Sequence, residues 1–244
     1  MSRSLLQARS LWTPQGWRED ARVAVMDGCV ADADATAGSV EHDGRWLVPG
    51  IANLHSHAFQ RAMAGLAERR QADVPVPGRG DRQAAIPASI PQQDSFWTWR
   101  ETMYAFASQV TPDDLHAIAA QLYAEMLRAG YTHVCEFHYL HHAPDGKPYA
   151  DPAAMSRALI AAARETGIGM TLLPVLYMRG GFDGRALSAR QARFGHDVDG
   201  FLRLLGTLRA EEDAQLRIGM AFHSLRAVAP DAMDAVLAAL PPGT

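Results

Sequence analysis

The chain has 244 residues, is 48% hydrophobic and 20% charged, and carries a formal net charge of -4. This is a globular composition with ample material for a core. It excludes the basic stripe of a nucleic-acid binder, and no run approaches the roughly 20 apolar residues of a membrane-spanning helix.

In chain order, Ser4 to Trp12, Ala21 to Met26 and Cys29 to Ala33 read as strands. Asp27-Gly28 is a hairpin signal, and Asp43-Gly44 before Arg45 to Val48 is a second. Residues 1–48 are therefore expected to form a small β domain. Cys29 and Cys135 stand far apart, which argues against a disulfide framework and for a cytoplasmic setting. The first residues lack a signal-type apolar segment. Ile51 to Ser56 reads as a buried strand. Residues 69–93 are polar and rich in Pro, Gly, Arg and Gln, and read as a long loop insertion.

Thr111-Pro112-Asp113-Asp114 is a strong helix start, and Gly130 ends that helix after about Arg128. Tyr131 to Tyr139 is a strand, Asp151-Pro152 opens a helix that Gly167 closes, and Ile168 to Tyr177 is a strand. Helical stretches follow from Ser188 to Arg209, then a strand at Leu216 to Phe222 and a helix at Pro230 to Leu240. Strands alternating with helical crossovers mean parallel βα units. The expected fold is α/β: about four βα units over residues 49–244, the N-terminal half of a metal-dependent (β/α)8 barrel, behind the small β domain. The barrel is expected to be incomplete, because eight units close it.

Chemistry-bearing residues gather just after the strands, where barrel active sites lie. His55 and His57 are two apart at a strand end, so their imidazoles share a side and offer two nitrogens to one divalent metal, zinc or another transition metal. A metal held this way lowers the pKa of water and points to hydrolysis. Gln60 follows the pair and is within reach of a substrate; Arg61 beside it reads as a solvated surface group. Tyr139 is a phenol donor at a strand end. His141 and His142 are neighbours whose side chains diverge, and they read as solvent-exposed loop residues. Arg179 reads as a loop residue with a structural partner. His223 is placed to donate a hydrogen bond to substrate, and Arg226 has the fork that suits a carboxylate.

The stretch Pro49-Gly50-Ile51-Ala52-Asn53-Leu54-His55-Ser56-His57-Ala58-Phe59-Gln60-Arg61 resembles the first barrel strand of the amidohydrolase superfamily. Ser95 to Glu101, Glu136 to His142, Leu173 to Gly181 and His223 to Val228 bring it closer to that superfamily's formimidoylglutamate deiminases. The resemblance implies hydrolytic deimination of N-formimino-L-glutamate to N-formyl-L-glutamate and ammonia. It implies His55 and His57 as ligands of one zinc, His223 as a catalytic residue, and Gln60, Tyr139 and Arg226 as substrate contacts. The expected partner is a small dicarboxylate, with no nucleic acid, no membrane and a homodimeric parent. The family supplies a third ligand histidine, an acid/base glutamate and a metal-binding aspartate from later strands, so these 244 residues alone are expected to be inactive. Two other readings stay open: another deaminase or hydrolase of the superfamily, and a non-catalytic metal-binding protein.

Overall fold

Ala8 and Ser10 are buried while Arg9 between them is exposed, the alternation of a strand with one covered face. That strand, β1 (Arg3–Thr13), folds back on β2 (Gly16–Met26) in a long antiparallel hairpin. β3 (Cys29–Ala31) pairs antiparallel with β2, and β4 (Arg45–Leu47) pairs parallel with β1. β2 begins five residues before its expected start. Trp17, Arg18, Glu19 and Asp20 are all exposed there, so no apolar alternation marks that half of the strand. Cross-strand pairing holds it instead: Ser10 Oγ donates to Glu19 Oε2 (2.9 Å), and the rings of Trp12 and Trp17 meet at 5.2 Å.

The computed structural model describes residues 3–27, 29–31, 45–66 and 96–241. The second residue of the Asp27-Gly28 turn, the Asp43-Gly44 turn and segment 69–93 lie outside them. The chain divides into two units, Met1–Ile51 and Ala52–Thr244.

The second unit is built on β5 (Ile51–Ser56), β6 (Tyr131–His138), β7 (Gly169–Leu176) and β8 (Leu216–Ile218), neighbours in that order. The β6–β7 and β7–β8 pairings are parallel. The crossovers are α2 (Pro112–Arg128), preceded by α1 (Phe96–Ala107), then α3 (Ala154–Thr166) and α4 (Val198–Arg209); α5 (Pro230–Ala239) follows the last strand. The capping box at Thr111 is fully formed. Its hydroxyl accepts from Asp114 N–H, and the Asp114 carboxylate accepts from Thr111 N–H. Phe201, Leu204, Leu205 and Leu208 give α4 a buried stripe at helical spacing. Val134, Met170, Leu172 and Leu216 on the strands are buried with Tyr123, Leu159 and Phe201 on the helices, while Cys135, Phe137 and Leu173 on the opposite strand face are half-buried. Among the described residues no helix is long and apolar enough to cross a membrane.

Other expectations change as well. Ile51–Ser56 is a strand but not a buried one: only Ser56 is buried, and Leu54 is 75% exposed. β5 ends the sheet order, so among the described residues one edge has no partner strand. The single strand expected at Leu216 to Phe222 is two, β8 and β9 (Ala221–Phe222), both paired with β7. Met170 N–H donates to Gln215 O (2.8 Å), and Leu172 O accepts from Gly219 N–H (2.9 Å). The same two-residue period calls for a donor at position 174, where proline has none. Pairing opens there and resumes in register at Val175–Ala221. Helix α1 was not expected; its stripe Trp99, Met103, Ala107, spaced i, i+4, i+8, was the available signal.

His141 and His142, expected in solvent, are buried at 1% and 8% exposure. Both backbone N–H groups donate to Arg193 O, and the ring Nε2 atoms meet Val175 O and Gly195 O. The buried Arg193 guanidinium in turn donates to Ala107 O, Val110 O and His142 O. This loop is packed by backbone hydrogen bonds from residues about 50 positions away, which no local pattern encodes.

Candidate active site

His57 follows β5 directly and precedes a short 3-10 helix, Ala58–Met63. Its Nδ1 lies 2.9 Å from Phe137 O. A carbonyl only accepts, so Nδ1 carries the proton and Nε2 keeps its lone pair for a ligand. The His55 and His57 rings are 4.6 Å apart at 86°, on the same side of the chain. Burial lowers the His57 pKa and His55 adds to that, against the Phe137 carbonyl, so the imidazole is neutral as a metal ligand must be.

Glu136, next to Phe137, points to the opposite face of β6 and is buried. Its carboxylate accepts from Ala58 N–H (2.6 Å) and Tyr123 OH (3.3 Å), and from the Ser56 hydroxyl. Burial pushes its pKa up to about 7, with these hydrogen bonds opposing. The dipeptide Glu136-Phe137 thus holds Ser56, His57 and Ala58 together. The sequence reading singled out neither residue for this role. An acidic residue in step with buried Val134 and His138 was the available signal.

A cavity of about 540 Å3 opens beside the histidine pair. His55, His57, Gln60, Tyr139, His223 and Arg226 all line it, so the structure brings every expected site residue together. Gln60 Nε2 donates to Tyr139 OH (2.9 Å), and the Tyr139 ring stands edge-on to His57 at 5.4 Å and to His223 at 5.5 Å. Burial, the largest influence, raises the Tyr139 pKa, so the phenol keeps its proton. His223 is lowered to about 4, first by burial and then by Arg226, His57 and Arg100. Its Nδ1 lies 3.2 Å from Ser224 Oγ, and its ring packs on Tyr177 at 4.4 Å. Arg226 donates to Gly180 O (3.2 Å) with its guanidinium 5.8 Å over the Tyr177 ring. Arg100 and Arg185, not singled out from sequence, line the same cavity. Arg100 donates to Tyr104 OH (2.6 Å).

Two other residues fall where the structural reading put them. Arg179 donates to Val228 O (3.3 Å), and Arg61 forms a bidentate pair with Glu125 (2.9 Å each) on the surface. Among the described residues no group of three or more His, Cys, Asp or Glu side chains is placed to hold a metal, so His55 and His57 stand as a two-nitrogen set.

A βα sheet with paired histidines at the end of its first strand, opening on a cation-lined cavity, is an architecture of metal-dependent hydrolases. The chain belongs to the amidohydrolase family, whose model matches residues 46–240. It is 47% identical over 240 residues to formimidoylglutamate deiminase from Pseudomonas aeruginosa, covering 97% of this chain and 49% of that protein. Among solved structures it resembles an amidohydrolase from Brucella melitensis, with 42% identity, a TM-score of 0.78 and coverage of 96% of this chain and 49% of that one. An atrazine chlorohydrolase from Arthrobacter aurescens TC1, complexed with zinc, shares the fold at 20% identity and a TM-score of 0.64, covering 95% of this chain and 49% of that one. The chain spans about half the length of the relatives it matches.

Proposed function

We propose that this chain forms part of a metal-dependent deiminase that converts N-formimino-L-glutamate to N-formyl-L-glutamate and ammonia. The observation that carries this reading is a single cavity joining the His55–His57 pair to the guanidiniums of Arg226 and Arg100. A dicarboxylate needs cations, and an amidine carbon needs a nucleophile. The 47% identity to a formimidoylglutamate deiminase supports the same choice.

His55 and His57 fit a divalent metal, zinc by analogy with the zinc-bound relatives, because Phe137 O fixes His57 with its Nε2 lone pair available. When bound, the metal supplies water activated for attack near neutral pH. Water adds to the formimino carbon, the bond from that carbon to the terminal nitrogen breaks, and the nitrogen leaves as ammonia once protonated. Arg226 and Arg100 hold the carboxylates. At pH 7 His223 is neutral, so it orients the substrate as a hydrogen-bond donor and does not act as an imidazolium acid. Gln60 and Tyr139, tied to each other, present an amide and a phenol to the same space.

Ammonia release from N-formimino-L-glutamate by the whole protein containing this chain, with zinc supplied, tests the reading. Turnover of this substrate supports it. Equal turnover of an amidine without carboxylates would overturn the assignment of the substrate.

A further inference from the structure

Arg100 reaches the cavity from α1, and a residue one turn further along the helix takes hold of it. Arg100 and Tyr104 stand at i and i+4, the spacing that makes two helical side chains neighbours. Arg100 Nε and Nη2 both donate to the Tyr104 hydroxyl oxygen, at 3.0 and 2.6 Å. Two bonds from one planar group to one oxygen restrict the swing of the guanidinium as well as its position.

Tyr104 is itself held. It is 8% exposed, and its ring stacks on Phe194 with centroids 6.0 Å apart and planes 20° from parallel. The buried Phe194 meets the ring of Tyr139 edge-on at 5.1 Å and that of Tyr177 at 5.9 Å. The segment around Phe194 also grips the rest of α1. Arg190 pairs with Glu101, and Arg193 donates to Ala107 O. Contacts at 101, 104 and 107 therefore seat α1 along its length on residues 190–194. A chain of packed rings runs from Tyr139 and Tyr177, which line the cavity, through Phe194 and Tyr104 to the Arg100 guanidinium. In Tyr104 the ring makes the packing contact, whereas the hydroxyl takes hold of a side chain that lines the cavity.

We infer that Tyr104 is a positioning residue of the substrate site: its hydroxyl sets the Arg100 guanidinium to receive one carboxylate of the substrate. This rests on the reading of the cavity as a dicarboxylate site. A long arginine side chain loses rotamer freedom when it grips a carboxylate, and holding it beforehand lowers that cost. A second arginine of the cavity is held in a comparable way, Arg226 by Gly180 O with the Tyr177 ring under its guanidinium.

The test is a double-mutant cycle on the whole protein containing this chain, with zinc supplied. It is read by calorimetric titration with glutarate, a dicarboxylate that has no amidine. Tyr104→Phe keeps the ring on Phe194 and removes only the hydroxyl. It should weaken glutarate binding about tenfold, and Arg100→Met should weaken it by more. In the Arg100→Met background Tyr104→Phe should change the affinity by less than about twofold, because the hydroxyl acts through the guanidinium. Binding that is indifferent to Tyr104→Phe, or that falls equally in both backgrounds, would overturn the inference. So would the absence of glutarate binding by the unaltered protein. Steady-state kinetics gives a second readout: Tyr104→Phe should raise KM for N-formimino-L-glutamate more than it lowers kcat. The expected coupling in glutarate binding, without turnover of N-formimino-L-glutamate by the unaltered protein, would sink the deiminase reading and uphold the role of Tyr104.

Discussion

Glu136 and Ala58, 78 residues apart in the chain, are joined by a buried 2.6 Å hydrogen bond from the Ala58 N–H to the carboxylate. Ala58 follows His57, and the residue after Glu136 supplies the carbonyl that orients the His57 ring. One dipeptide of β6 therefore sets both the backbone and the ring of a candidate metal ligand.

Glu136→Ala should cost about 2–4 kcal/mol, because it orphans the buried Ala58 N–H and Tyr123 hydroxyl. It should also weaken zinc binding by about 10–100-fold, the usual effect of removing support behind a ligand. Glu136→Gln retains one acceptor oxygen and should recover most of the zinc affinity. Urea unfolding and zinc titration measure the two effects separately; unchanged zinc affinity in the Ala variant would refute the positioning role.

Arg226→Met should raise KM for N-formimino-L-glutamate by about 10–100-fold in the whole protein, with a smaller effect on kcat, since a charge-assisted bond to substrate is lost. The same substitution should leave an uncharged amidine unaffected. Steady-state kinetics on the two substrates separates these outcomes.

Arg193→Met should destabilise the fold by about 3 kcal/mol or more. The guanidinium, 2% exposed, satisfies the carbonyls of Ala107, Val110 and His142, and methionine leaves all three without a donor. Thermal unfolding reads the loss directly.

Acid should unfold the protein. His138, lowered to about 3, and His196 and His223, each lowered to about 4, sit below their ordinary 6.5 because burial penalises the charged ring. Between these values the unfolded chain binds more protons than the folded one. The stability they contribute is complete above pH 6.5 and is lost as pH falls through their folded values. Glu136 works in the opposite sense: raised from 4.5 to about 7, its contribution is lost as pH rises across that window. Three histidines outweigh one glutamate, so the urea midpoint should fall markedly from pH 7 to pH 4.5. His196→Gln should flatten that fall, and a midpoint that rises on acidification would contradict the account.

Local chemistry made much of the architecture legible from residues alone. The Thr111 capping box, the Gly130 and Gly167 stops and the alternation of apolar runs are short-range signals, and they place α2, α3, β6 and β7 to within a few residues. The side-by-side placement of His55 and His57 follows from strand periodicity, which depends on nothing distant. Tertiary structure decided what depends on partners far along the chain. It put β5 at a sheet edge, split the strand after Leu216 opposite Pro174, and buried His141 and His142 beneath Arg193. It also brought Arg100 and Arg226, 126 positions apart, to one cavity. Burial and hydrogen-bond partnership are properties of the packed chain, so the same histidine pattern that reads as solvent-facing in isolation becomes a neutral, unsatisfied cluster once the Arg193 loop closes over it.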